Sequence, residues 1–266
     1  MSRRRRRQQR QAMINFAMVI AIIAGVIYIA YTVRPAPFDE DTLCLVSETL
    51  PPHTAIIIDK TDEYSETQAD LIAAVIRRTR VRLEVGERIT LFELDAKGQF
   101  DPRGELSMCN PGRGDQVNPL FRNPKQMEDR YEELFAKPME IVLADLVVPK
   151  EAPSSPIMEA LARLAQTEAF SDRAPRRRVV LISDMLQNSD VFSAYGGGGS
   201  MPENMPDWRD TADAITRKFG TSLNGVALEI RLIPRDRYVD LQRGALKEYW
   251  NNVLGDLGVK VDWRDL

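Results

Sequence analysis

The chain has 266 residues, enough for one large domain with a real core or two small ones, and its 36 basic residues against 39 acidic ones leave it near neutrality. That balance conceals a split: the first 34 residues carry 7 of the basic residues and no acidic one, so the remainder holds 29 bases against 39 acids and is ten charges negative. Such a field excludes nucleic acid as the natural ligand of the larger part, because phosphate binding depends on positive charge.

The first element is residues 12–33 (AMINFAMVIAIIAGVIYIAYTV), uncharged and with Asn15 and Thr32 as its notable polar interruptions. It meets the roughly 20 apolar residues that a hydrocarbon core requires and predicts a transmembrane helix. A buried core helix would show a polar face. A cleaved signal peptide would carry a shorter apolar run and a small-residue cleavage site, whereas Pro35 and Pro37 follow here, so an uncleaved signal anchor is expected. Arg3, Arg4, Arg5, Arg6, Arg7 and Arg10 precede the helix, and only Arg34 follows it before Asp39, Glu40 and Asp41. The positive-inside rule therefore keeps residues 1–11 cytoplasmic and places the C-terminal part outside. A basic run can also mark nuclear targeting, but directly before an apolar helix it reads as a topology signal, compatible with attraction to anionic lipid.

Both cysteines, Cys44 and Cys109, lie in the outer part. In an oxidising compartment they can pair, closing a loop worth on the order of 4 kcal/mol on chain-entropy grounds; two unrelated buried thiols satisfy the same count. A bacterial periplasm suits the anchor, the charge split and a disulfide together, and an anchored eukaryotic surface or lumenal protein fits them as well.

Residues 34–52, bounded by prolines, read as a tether, and 53–266 as a single α/β domain. Thr54–Asp59 (TAIIID) is a continuous β-branched run, as in a parallel strand buried on both faces. Ser65 and Gln68 form a capping box ahead of a helical stripe of Leu71, Ile72, Val75 and Ile76. Glu87–Asp95 predicts a second strand, joined through AKGQFDPRG to a third at Glu105–Cys109 as an antiparallel edge hairpin. Residues 125–148 predict helix with a break or kink at Pro138. Ser155 and Pro156 predict an N-cap and first position for a helix through Phe170. Strand Arg178–Asp184, helix Trp208–Phe219, strand Val226–Ile233, helix Leu241–Leu254 and strand Val259–Trp263 follow. This alternation predicts a doubly wound, mostly parallel sheet with one antiparallel edge strand and helices on both faces.

Ligands of such sheets bind at the carboxyl ends of the strands. Two apolar strands end there in aspartate, Asp59 and Asp184, and hydroxyls stand at comparable places: Thr61, Ser154 and Ser155. Carboxylate and hydroxyl oxygens on one rim suit a hard divalent cation such as Mg²⁺.

These residues resemble the von Willebrand factor type A family and its metal-ion-dependent adhesion site. The resemblance is carried by Asp59-Lys60-Thr61-Asp62-Glu63 for the D-x-S-x-S strand end, Ser154-Ser155-Pro156 for the threonine at a helix start, and Ile182-Ser183-Asp184-Met185 for the strand ending in Asp. It spans about residues 53 to 263 and implies a metal set of Asp59, Thr61, Glu63, Ser155 and Asp184, with a partner protein's acidic side chain completing the coordination. Glu63 stands where the family has a second serine, and Met185, where it often has glycine, is expected to crowd the rim. Without a ligand, Asp59 and Asp184 would cap turns and Ser155 would serve as an N-cap.

His53 is the only histidine, which leaves no base for a Ser/His or Cys/His unit, and it reads as structural. No Walker loop or G-x-G-x-x-G occurs, so no nucleotide is expected. Arg113-Gly114-Asp115 lies in a turn-rich stretch and reads as chance. Gly196–Gly199 reads as a partner-binding loop or as a spacer. The expected function is a membrane-anchored binding module of an envelope complex using a cation at its rim. The alternatives are a metal-free scaffold and a Mg²⁺-dependent phosphohydrolase with Asp59 as nucleophile, although the latter expects a second Asp where Thr61 stands.

Overall fold

The computed structural model describes residues 3–32, 37–61, 63–94, 97, 104–117, 123–148, 152–196 and 200–266. It divides into two compact units, Met1–Phe38 and Asp39–Leu266. The first is helix α1 (Arg3–Thr32), whose Arg10–Ile29 stretch is long and apolar enough to cross a membrane and whose side chains from Arg10 to Ile29 are nearly all exposed. By length and composition this stretch suits a membrane-spanning segment.

The second unit is an α/β domain on a sheet ordered β3-β2-β1-β4-β5-β6. Its strands are β1 (His53–Asp59), β2 (Arg88–Leu94), β3 (Leu106–Cys109), β4 (Arg177–Ser183), β5 (Ala227–Leu232) and β6 (Lys260–Asp265). All neighbours run parallel except β2 and β3, which form the antiparallel edge expected from the sequence. The period-2 alternation of side chains divides the core in two. Ile56 and Ile58 of β1 and Val180 and Ile182 of β4 pack with helix α2 (Glu66–Arg82), helix α3 (Pro124–Tyr131) and helix α4 (Lys137–Leu146). Ala55, Ile57, Val179 and Leu181 face the opposite cluster, which contains helix α5 (Ile157–Gln166), helix α6 (Trp208–Phe219) and helix α8 (Ala245–Asp256). A strand buried on both faces needs the unbroken apolar runs seen in β1 and β4.

Local chemistry accounts for the ends. Ser65 and Gln68 form the capping box of α2 as expected, while Leu71 of the expected stripe is 39% exposed, because the helix turns only Ile72, Val75 and Ile76 fully inward. No break occurs at Pro138. A π turn, Glu132–Ala136, joins α3 to α4 without leaving the helical backbone, and this irregularity just upstream is where the run accommodates Pro138. The single helix expected over 241–254 is divided into helix α7 (Val239–Arg243) and α8 at Gly244, where a Cβ would lie 2.8 Å from the Asp240 carbonyl. His53 is buried, with Nδ1 on the Ala169 carbonyl and Nε2 on Thr90 Oγ1, both at 2.8 Å; burial lowers its imidazole to about 4.

Cys44 and Cys109 are bonded. Beside that bond the Thr42 carbonyl accepts from Cys109 N at 2.7 Å, and Leu43 is buried, so part of the stretch 34–52 covers the outer edge of β3. Arg113-Gly114-Asp115 sits at a short 3₁₀ turn, with Gly114 N on Glu128 Oε2. Most of 96–104, Asp62 and residues 197–199 of the glycine run lie outside the described residues.

Candidate functional site

The rim is built by the adjacent ends of β1 and β4. Their parallel register pairs Ile58 with Ile182, which brings Asp59 level with Ser183. Asp59 is 4% exposed and accepts on both oxygens: Oδ1 from Thr61 Oγ1 (2.6 Å) and Thr61 N (3.2 Å), Oδ2 from Ser183 Oγ (2.8 Å) and Ser155 Oγ (3.0 Å). One buried carboxylate thereby ties together the β1 and β4 ends and the approach to α5.

Ser155 does not cap α5. The N-cap position is Pro156 and makes no side-chain bond; the Ser155 hydroxyl goes to Asp59 instead, and its backbone pairs with Asn188 in both directions at 2.9 Å. Donation to Asp59 does not by itself prevent capping, which would use the hydroxyl's lone pairs; the helix begins one residue later than the Ser-Pro pair predicts, and the first-turn Met158 N donates to Gln187 Oε1 at 3.0 Å instead.

Asp184 is 3% exposed. Its Oδ1 accepts from Leu186 N at 2.9 Å and its Oδ2 from Arg235 Nε at 2.8 Å, while its carbonyl accepts from Gln242 Nε2 at 2.8 Å. Burial and the neighbouring Asp59 carboxylate push the Asp184 carboxyl up to about 7, against the lowering effect of Arg235. Met185 does not crowd the rim. Its backbone is left-handed (φ 63°), as a glycine position would be, but its side chain is buried in the core beside Leu186 and Trp250, and Trp250 Nε1 bonds its carbonyl at 3.0 Å. Glu63 is exposed and contributes its backbone carbonyl, which accepts from Arg235 Nη1. Lys60, beside Asp59, is buried and bonded to Glu93 Oε2 at 3.0 Å and the Asp145 carbonyl at 3.4 Å.

Thus the structure brings Asp59, Thr61, Ser155 and Asp184 to one rim and leaves the Glu63 carboxylate outside it. Sequence reasoning missed Ser183, Arg235 and Gln242. Ser183 was readable as a hydroxyl one residue from the strand end once β1 and β4 are set side by side; Arg235 and Gln242 come from the loop after β5 and from α7, far along the chain.

In this arrangement the donors do not fit a divalent cation. The Thr61 and Ser155 hydroxyls give their protons to Asp59 and keep lone pairs to offer, but one oxygen of Asp184 is held by a guanidinium and the other by a backbone amide. A hard cation would need that carboxylate and would sit against a fixed positive charge. Among the described residues no cluster of three or more His, Cys, Asp or Glu converges.

Next to the rim opens a groove of about 1030 Å³ whose lining includes Thr61, Glu63, Thr67, Arg235, Asp236 and Arg237. Tyr195 and Tyr238, both in its lining, meet edge-on with ring centroids 5.7 Å apart, and a smaller cavity of about 210 Å³ reaches Ser155 and Asn188.

The sheet order and the antiparallel edge are consistent with a von Willebrand factor type A-like fold. Among solved structures it is similar to a von Willebrand factor type A protein from Catenulispora acidiphila, at 15% identity and a TM-score of 0.41 over 81% of this chain and 39% of that one. It is also similar to the conserved hypothetical protein BatB from Bacteroides thetaiotaomicron, at 11% identity and a TM-score of 0.36 over 80% of this chain and 90% of that one. An aerotolerance-related membrane protein from Bacteroides fragilis gives 10% and 0.36, over 81% and 91%. No protein-family model matches the sequence, and comparison with the curated proteins found no match.

Proposed function

We propose that the chain is a membrane-anchored binding module that captures a protein partner in the groove beside the Asp59–Asp184 rim. The observation that carries this reading is the groove itself, at the carboxyl ends of the strands where the chain crosses from one face of the sheet to the other, with Arg235 and Arg237 in its lining beside Glu63 and Asp236. Arg237, and the Arg235 donors that Asp184 and the Glu63 carbonyl do not use, can pair with carboxylates of a partner segment, next to the groove's own Glu63 and Asp236. The anchor α1 with its basic start, and the Cys44–Cys109 bond, support a domain held outside the cytoplasm of a single-pass membrane protein.

The metal-free version of this module is favoured by the Arg235–Asp184 pair; the version with Mg²⁺ at Asp59, Thr61, Ser155 and Asp184 requires Arg235 to leave. A phosphohydrolase is disfavoured because Asp59 is buried under four donors, so neither oxygen is available to attack a phosphorus atom. Pull-down from native membranes by the full-length chain tests the reading, with Arg237→Glu as the groove variant and EDTA as a separate arm. The module predicts a discrete partner lost with Arg237→Glu and kept in EDTA. Loss in EDTA would favour the metal-bearing version, and capture unaffected by Arg237→Glu would count against the groove.

A further inference from the structure

Two carboxylates, Asp59 and Asp184, lie buried within one rim, and a buried charge is costly unless it is paired. Asp59 is compensated by three hydroxyls and an amide. Asp184 is compensated by Arg235, whose Nε stands 2.8 Å from Oδ2 and whose Nη1 donates to the Glu63 carbonyl on the opposite side of the rim. The guanidinium therefore spans the gap between the β1 and β4 loops.

Arg235 is not a loose surface side chain that happens to land there. Its own backbone N–H donates to Gln242 Oε1 at 2.9 Å, and the same buried amide gives its two N–H groups to the carbonyls of Asp184 (2.8 Å) and Ile233 (3.0 Å). Gln242 thus fastens the backbone of both members of the ion pair and the strand end from which Arg235 departs. A satisfied buried amide between two loops fixes their relative position. The side chain that results is only 18% exposed and its partner 3%.

We propose that Arg235 is the resident cation of this rim, built into the chain and positioned by Gln242, so that the groove takes a carboxylate-bearing ligand without a divalent metal. This rests on the partner-binding reading for the ligand, but the cation assignment stands apart from it. An arginine suits this role because it stays charged at any physiological pH and offers donors in a fixed plane that matches carboxylates. A rim of this kind has no metal to lose to a chelator. It exchanges the adjustable coordination shell of Mg²⁺ for a covalently attached, fixed-geometry donor.

The test is Mn²⁺ binding by the full-length protein in detergent, followed by loss of the free-ion signal in electron paramagnetic resonance. Thermal unfolding of each variant checks that it is folded. The wild type and Arg235→Lys are expected to leave free Mn²⁺ unchanged. Arg235→Gln, which frees the Asp184 carboxylate beside the Thr61 and Ser155 hydroxyls, is expected to gain Mn²⁺ binding within roughly the 10⁻⁴–10⁻³ M range of extracellular cation modules. The double variant Arg235→Gln with Asp184→Asn should lose it again. Wild-type binding abolished by Asp184→Asn would overturn the proposal. So would failure of a folded Arg235→Gln to bind, since something other than the arginine would then exclude the metal. Neither failure bears on partner capture, which is read without metal.

Discussion

Ser155 Oγ donates to Asp59 Oδ2 at 3.0 Å across 96 residues of sequence, and Ser183 Oγ meets the same oxygen at 2.8 Å. The rim is therefore a structural joint before it is anything else. Asp59→Ala removes the common acceptor and leaves three hydroxyls and an amide to find new partners. It is expected to lower stability by about 3 kcal/mol, read as a shift in the urea midpoint. Asp59→Asn keeps one acceptor oxygen and is expected to cost less.

The Cys44–Cys109 bond closes a 65-residue separation and fastens the segment before β1 to the edge strand β3. Replacing both cysteines by serine is expected to lower stability by about 4 kcal/mol on loop-entropy grounds. The wild type in reducing agent should match the double variant. Equal stability of oxidised and reduced protein would contradict this.

His53 carries a pH dependence whose sign follows from its lowered imidazole, about 4 when folded against 6.5 when exposed. Between those values the unfolded chain binds the extra proton, so stability is full above pH 6.5 and falls as pH drops towards 4. The loss approaches about 3 kcal/mol at the low end. His53→Gln, compared with wild type in denaturation at about pH 7 and about pH 4.5, should show the shallower decline.

Met185 holds a left-handed backbone and a fully buried side chain at once. Met185→Gly relieves about 1 kcal/mol of backbone cost but forfeits the buried side chain, worth about 2–5 kcal/mol when truncated. Net destabilisation is expected in chemical denaturation. A gain would mean that the side chain contributes little to the core.

Much of the fold was legible because its physical causes are local. A strand buried on both faces must be an unbroken apolar run, as TAIIID and VVLIS are, and Ser65 with Gln68 announces a helix start by its own chemistry. Asp59 and Asp184 were legible for the same reason, as charges that end such runs. Ser155 was read as a cap because a Ser-Pro pair is locally sufficient for one; the helix instead begins one residue later, and the carboxylate to which the Ser155 hydroxyl donates lies 96 residues away. Pro138 was read as a break or kink, and the irregularity takes the form of a π turn just upstream rather than an end of the helix. Arg235 and Gln242 had no local signal at all, since their meaning depends on the β4–β5 register bringing residues from 51 and 58 positions away onto Asp184.

The central claim is that the groove beside this rim receives a protein. Site-specific photo-crosslinking in native membranes addresses it directly, with the crosslinker placed at Thr67, exposed in the groove, or at Lys260, exposed at the start of β6 on the opposite end of the sheet. A discrete protein adduct from Thr67, absent from Lys260 and lost with Arg237→Glu, is the expected result. No adduct from Thr67, or the same adducts from both positions, would contradict the account.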